Sequence, residues 1–131
     1  MQRTMMLSVA LAAMFAIAGC NNAKSPEDVS KDVASAQDKA AKEVSNSENK
    51  AANDMGKQAD RADDGLVKFS NAAAEDAYKI AIARADGDRK VALAACEAQS
   101  GDAQKACKDR ADANYKAAKA DAKASAESAK Q

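Results

Sequence analysis

Three cysteines are the residues in this sequence best suited to covalent chemistry. Cys96 and Cys107 stand eleven positions apart in CEAQSGDAQKAC, and Cys20 follows an apolar stretch near the start. The pair can be read as a structural disulfide, a redox-active pair or a metal site. Its spacing differs from the Cys-x-x-Cys of redox pairs, and the chain has no histidine to help complete four metal ligands. We therefore predict a structural disulfide between Cys96 and Cys107, which requires an oxidising compartment.

Other chemistry has little support in the composition. Without histidine there is no Ser-His-Asp type triad and no imidazole acid or base. Carboxylates are many, but each has a lysine or arginine nearby, and there is no glycine-rich phosphate loop. We expect no enzyme, no metal and no cofactor. With 20 basic and 20 acidic residues interspersed along the chain, we also expect no nucleic-acid partner.

The first twenty residues, MQRTMMLSVALAAMFAIAGC, have the pattern of an export signal. Arg3 precedes an apolar stretch from Met5 to Ile17, which is too short for a membrane-spanning helix. The ending Ile-Ala-Gly-Cys resembles the lipobox of bacterial lipoprotein signal peptides, in which cleavage occurs just before the cysteine. Residues 1–19 are then the signal peptide and residues 20–25 a lipidated tether. The alternative is an ordinary signal peptide in which Cys20 is incidental.

The lipoprotein resemblance implies an address as well as a modification. It implies a diacylglycerol on the sulfur of Cys20 and usually an acyl chain on its amine, and several acyl chains together give stable anchoring in a lipid bilayer. Asn21 stands where an aspartate favours the inner membrane in enteric-type bacteria. We therefore expect an outer-membrane lipoprotein that faces the periplasm, with the inner membrane as the alternative. The periplasm is the oxidising compartment that the disulfide requires.

An eleven-residue repeat follows the tether. Ser25 and Pro26 have the types of an N-cap and a first helical residue. From Ser30 onward the chain can be cut into units such as SKDVASAQDKA and AKEVSNSENKA, which align Val33, Val44 and Met55. Eleven residues make three helical turns, so this column runs almost straight along one face. We predict one repeat helix over residues 26–64, with a break or kink at Gly65.

Residues 66–128 have the pattern of a helical hairpin. Helical spacing runs from Tyr78 to Cys96 and again from Cys107 to Ala122, and SGD punctuates the sequence between them. We expect Gly101 to end the first helix and Asp102 to cap the second. Cys96 and Cys107 are then opposite each other, and Tyr115 is near Asp88. The predicted fold class is all-α: a long repeat helix, then a disulfide-clasped αα-hairpin, with little globular core.

Two further resemblances concern the helices. The stretch from Tyr78 to Lys123, which contains the two cysteines and YKAAKADAK, resembles small Ala/Lys-rich periplasmic proteins of beta-proteobacteria. That family implies the hairpin and has no settled activity. The eleven-residue units resemble those of late-embryogenesis-abundant proteins, which implies a stress protectant that becomes helical when crowded or dried.

These observations favour a structural or interaction role in the cell envelope, such as a spacer or scaffold. One alternative is the stress protectant, partly disordered until crowded. Another is a binding module whose envelope partner packs on Leu66, Phe69 and Ile80. Self-association of the alanine stripes is possible. The chain ends in AESAKQ, so Gln131 follows Lys130. This departs from the major outer-membrane lipoprotein of enteric bacteria, whose C-terminal lysine is joined to peptidoglycan, and we do not expect covalent attachment.

Overall fold

Three α-helices make up the part of the chain that the computed structural model describes, residues 23–59 and 66–130, with residues 66–69 described by their backbone only. Helix α1 spans Pro26–Ala59, α2 spans Leu66–Cys96 and α3 spans Gly101–Ser128. Helix α2 packs against both α1 and α3. The all-α fold class is therefore confirmed. The predicted signal peptide (residues 1–19), Cys20 and the break at Gly65 lie outside the described residues.

Helix α1 begins where the sequence predicted. The Ser25 hydroxyl accepts a hydrogen bond from the backbone N–H of Asp28 at 3.2 Å, as an N-cap does. Pro26 is the first helical residue, where its missing N–H has no helical partner to lose. Glu27 and Asp28 place negative charge in the first turn, at the positive end of the helix dipole.

The burial pattern of α1 repeats every eleven residues, as predicted. Its buried and half-buried apolar positions recur three, four or seven residues apart, at Val29, Val33, Ala36, Ala40, Val44 and Ala51. Met55, which continues the column of Val33 and Val44, is instead 40% exposed. The stripe faces α2, against which α1 packs in the antiparallel direction. Interhelical pairs Glu43–Lys90 and Glu48–Arg84 mark the register at 2.9 and 2.7 Å.

Helices α1 and α2 approach each other closely at a glycine. A Cβ added to Gly87 would lie 2.6 Å from the Cβ of Ala40, a distance that real Cβ atoms essentially never show. Gly87 is buried in the middle of α2, where glycine costs about 1 kcal/mol relative to alanine. The close backbone contact with α1 accounts for a residue that helix propensity alone disfavours.

Helices α2 and α3 form the predicted antiparallel hairpin, with a different turn. Helix α2 ends at Cys96, residues 97–100 connect the helices, and the N-cap of α3 is Ser100 in an extended conformation. The predictions that Gly101 ends the first helix and that Asp102 caps α3 are therefore wrong, because Gly101 is the first residue of α3 and Asp102 lies in its first turn. Gly101 has a φ of +57°, a left-handed conformation that glycine adopts without steric cost.

The core is built from small side chains. Among the described residues, the buried apolar positions are Cys96 and four alanines: Ala51, Ala74, Ala85 and Ala111. Alanine lets helix axes approach closely but buries little apolar area, and burial contributes roughly 25 cal/mol per Å². The prediction of little globular core is confirmed.

Ion pairs at i, i+4 within the helices include Glu27–Lys31 and Asp86–Lys90. Glu75 and Lys79 have the same spacing but pair with other residues. Lys79 binds Asp76 at 2.9 Å, and Glu75 pairs with Lys130 at 3.3 Å. Asp76 is only 6% exposed, and its buried carboxylate is paired with the Lys79 ammonium. Lys130, just past the end of α3, lies close enough to pair with Glu75. Tertiary packing therefore decides these partners.

Candidate functional site

Cys96 and Cys107 lie where the hairpin closes. They are at disulfide distance, with Cα atoms 5.7 Å apart, which is within the range that the bond requires. Cys96 is fully buried at the last residue of α2, and Cys107 is half-buried in the second turn of α3. The eleven-residue spacing therefore has a structural explanation: it places the two cysteines opposite each other, one on each helix, next to the turn.

An ion pair continues the contact beside the disulfide. The Lys108 ammonium lies 2.7 Å from the Glu97 carboxylate. The hydrogen bond from Lys108 lowers the pKa of Glu97 below its ordinary value of 4.5. Glu97 and Lys108, the residues that follow the two cysteines, therefore add an ion pair between the connection and α3.

The segment before α1 joins this end of the molecule. The backbone N–H of Lys24 donates a hydrogen bond of 3.0 Å to the carbonyl oxygen of Glu97. The Lys24 ammonium binds the Asp32 carboxylate at 2.7 Å, and this hydrogen bond raises the pKa of Lys24. We call the region formed by residues 24–28, 96–102 and Cys107 the clasp end. Sequence reasoning missed the Lys24–Glu97 contact because no pattern links residues 73 positions apart.

A second cluster of side chains connects α2 and α3 farther from the turn than the two cysteines. The Arg89 guanidinium binds Asp112 across the two helices and lies 5.5 Å from the centre of the Tyr115 ring. The Lys119 ammonium lies 5.4 Å from the same centre. The hydrogen bond from Arg89 to Asp112 raises the pKa of Arg89. Tyr115 was expected near Asp88, and the residue whose contact with the ring is observed is the adjacent Arg89.

The predicted partner face is only partly described. Leu66 and Phe69 lie in the first turn of α2, and their side chains lie outside the described residues. Ile80 is half-buried and lines a shallow groove between α2 and α3. Alanines supply most of the apolar lining of that groove, at Ala77, Ala81, Ala85, Ala118 and Ala122.

Lys130, which the sequence raised in connection with peptidoglycan, lies past the end of α3 and pairs with Glu75. Within the described residues no group of three or more cysteines or carboxylates is arranged to hold a metal ion. No helix in that part of the chain has the length and hydropathy needed to cross a membrane. The chain matches no family model, no curated protein and no solved structure.

Proposed function

We propose that this protein is a lipid-anchored lipoprotein of the periplasmic face of the bacterial outer membrane, with a spacer or scaffold role in the envelope. The observation that carries this proposal is the elongated shape of three antiparallel helices. Helix α2 alone has 31 residues, which corresponds to about 46 Å at 1.5 Å per residue. A rod of this length beside a lipidated residue holds its far end well away from the bilayer.

The surface of the rod supports a role in contact rather than catalysis. Its interhelical ion pairs, Glu43–Lys90, Glu48–Arg84 and Lys108–Glu97, involve partly exposed side chains. Such pairs contribute little stability individually but fix the register of the helices. The grooves between the helices are shallow and lined by small residues, so partners would have to bind the helix faces themselves.

The lipid anchor depends on Cys20 and is tested first. The full-length precursor would be produced in a Gram-negative host with a labelled fatty acid, and membranes would be separated by density. We expect the wild type to carry the label and to sediment with the outer membrane. Cys20→Ala should lose both the label and membrane association. Retained label in Cys20→Ala would contradict the proposal.

Asn21 provides a matched control for the address. If the sorting rule of enteric-type lipoproteins applies, Asn21→Asp keeps the fatty-acid label and moves the protein to the inner membrane. If the wild type is already in the inner membrane, the outer-membrane part of the proposal is wrong while the anchor remains.

The alanine core favours a second candidate function, the stress protectant. A chain that buries so little apolar area is expected to be marginally stable when dilute. Circular dichroism and light scattering on residues 21–131, with and without reductant, separate the two. A helical particle that loses helix on reduction supports the scaffold, whereas an unfolded monomer indifferent to reductant supports the protectant.

Binding through the partner face is the third candidate, and the groove beside Ile80 favours it. We expect Phe69→Ala to abolish capture of an envelope partner without affecting export. Unchanged capture would exclude Phe69 as part of the binding surface.

A further inference from the structure

We propose that the clasp end is the surface that faces the phospholipid bilayer, and that the opposite end of the rod is presented to the periplasm. This inference rests on the proposed function, because it requires lipid on Cys20. It adds an orientation, and with it an assignment of which residues lie near lipid headgroups.

The first step is the position at which the described chain begins. Lys24 is joined to the turn of the hairpin by its backbone N–H, which donates to the Glu97 carbonyl, and to α1 by its ammonium, which binds Asp32. Helix α1 starts two residues later at Pro26 and runs away from this end, antiparallel to α2. The start of the chain is therefore held beside the turn of the hairpin.

The second step is the reach of the tether. Four peptide units separate Cys20 from Lys24, and a fully extended chain covers at most roughly 3.6 Å per residue, or about 14 Å in total. Acyl chains on Cys20 enter the bilayer, so Lys24 and Glu97 cannot lie farther than this from the lipid surface. Helix α2 is about 46 Å long, so its start cannot be equally close unless the rod lies flat.

The third step distinguishes an upright rod from a flat one. A helix that lies on a bilayer buries an apolar face between polar ones. The outer face of α3 alternates charged residues with alanine and carries no large apolar side chain, as at Lys116, Lys119, Asp121 and Lys123. The outer face of α1 is similar, with Lys39, Lys42 and Lys50 exposed. Among the described residues Met55 is the one large apolar side chain that is exposed, which is too little apolar area to hold the rod flat, so end-on contact is favoured.

The orientation assigns roles to both ends. The clasp end carries the first turns of α1 and α3 and the connection 97–100, whose side chains are small or polar. The far end carries Lys130, Glu75 and the beginning of α2 with Leu66 and Phe69. An envelope partner bound through the beginning of α2 would therefore meet the protein roughly 45 Å from the bilayer.

The absence of tryptophan from the sequence allows a direct test. Full-length lipidated protein would be incorporated into phosphatidylethanolamine–phosphatidylglycerol vesicles that contain a dansyl-labelled headgroup. Single-tryptophan variants Gln99→Trp and Ser128→Trp place the fluorophore at exposed positions near the clasp end and at the end of α3. Ala113→Trp, exposed in the middle of α3, is the intermediate position. Circular dichroism checks that each variant is folded.

We expect energy transfer to the headgroups to be about tenfold stronger for Gln99→Trp than for Ser128→Trp, because these positions lie roughly 40 Å apart along α3. Ala113→Trp should fall between them. A flexible ten-residue insertion between Asn22 and Ala23 should weaken transfer from Gln99→Trp while vesicle binding is retained.

Equal transfer from all three positions, or stronger transfer from Ser128→Trp, would overturn the orientation while leaving the lipid anchor intact. Failure of the anchor itself is recognised separately. In that case the wild type does not float with the vesicles, no variant shows transfer, and the proposed function and the orientation are both wrong.

Discussion

The contact of α2 with α1 and its contact with α3 are held in different ways. The α2–α3 contact is closed by the Cys96–Cys107 disulfide and strengthened where Arg89 meets Asp112 and Tyr115. The α1–α2 contact has no crosslink among the described residues and depends on surface ion pairs and on close packing, as between Gly87 and Ala40. A covalent bond holds two helices together even where packing is imperfect. A close contact between small residues is disrupted by a single added methyl group.

The comparison suggests different sensitivities for the two contacts. The hairpin should respond to redox conditions and to the loss of a few anchoring side chains. The packing of α1 should respond to the addition of a methyl group. Because both contacts share α2, damage to one also lowers the stability of the other.

The largest effect is expected from the disulfide. Replacing both cysteines, as Cys96→Ala with Cys107→Ala, should lower the free energy of unfolding by about 3 kcal/mol, because the crosslink closes a short loop in the unfolded chain. Urea unfolding followed by circular dichroism measures this. Reductant should weaken the wild type to a similar extent and leave the double variant unchanged. A reductant effect on the double variant would show that the stabilisation has another origin.

The second effect concerns the crossing of α1 and α2. Gly87→Ala should destabilise the fold by about 1–3 kcal/mol, because the new methyl group overlaps Ala40 and the backbones cannot separate without loss of packing. Gly56→Ala is the matched control, since nothing lies within 4 Å of its added Cβ. It should stabilise α1 by roughly 0.5–1 kcal/mol. Both changes are measured by urea unfolding.

A compensating variant sharpens this test. Ala40→Gly removes the methyl group that Gly87→Ala would meet, so the double variant should recover much of the stability lost by Gly87→Ala alone. If Gly87→Ala behaves like Gly56→Ala, the close contact does not limit the packing of α1.

A third and smaller effect is expected at Tyr115. Tyr115→Ala removes the ring between Arg89 and Lys119 and should cost about 1 kcal/mol, since cation–π contacts at partly exposed sites are worth this order. Tyr115→Phe keeps the ring face and should be close to neutral. Thermal unfolding of the two variants under oxidising conditions measures the difference. An equal loss for Tyr115→Phe and Tyr115→Ala would assign the effect to the hydroxyl instead of the ring.

The smallest effect is the pH dependence of the clasp end. The pKa of Glu97 is lowered in the folded protein by Lys108, so the contact stabilises the fold above pH 4.5 and is lost as the pH falls through the lowered pKa. The urea midpoint should therefore drop slightly more steeply in acid for the wild type than for Glu97→Gln. Identical acid profiles would show that this exposed pair contributes nothing measurable, as many surface pairs do.

Sequence reasoning recovered the hairpin because its signals are local. The spacing of Cys96 and Cys107 around Gly101 fixes which residues are opposite each other, and helical periodicity places Ala111 and Tyr115 on the same face. The eleven-residue repeat likewise predicted which side of α1 is buried. The N-cap of α3 was misplaced from Ser100 to Asp102 because both residue types cap helices well and only the backbone conformation distinguishes them.

The candidate site was predictable in part. The cysteine pair could be named from the sequence, whereas Arg89 and Asp112 could not be paired, because every turn of these helices offers several charges of each sign. Gly87 carried a usable signal, since a glycine within a strong helix pattern often marks a close contact. The sequence did not indicate which helix packs against Gly87.

The sequence by itself determined that this chain forms helices, where α1 starts, most of the stripe that α1 buries and where a crosslink is possible. These properties follow from residue types at fixed spacing along a single element. Only the tertiary structure decided that α1 folds back along α2 and brings Lys24 to Glu97. That choice depends on interactions between residues far apart in the chain. Because alanines and charged residues are similar all along the helices, no local pattern indicates how α1 packs on α2. The small residues Gly87 and Ala40 allow the two helices to approach closely.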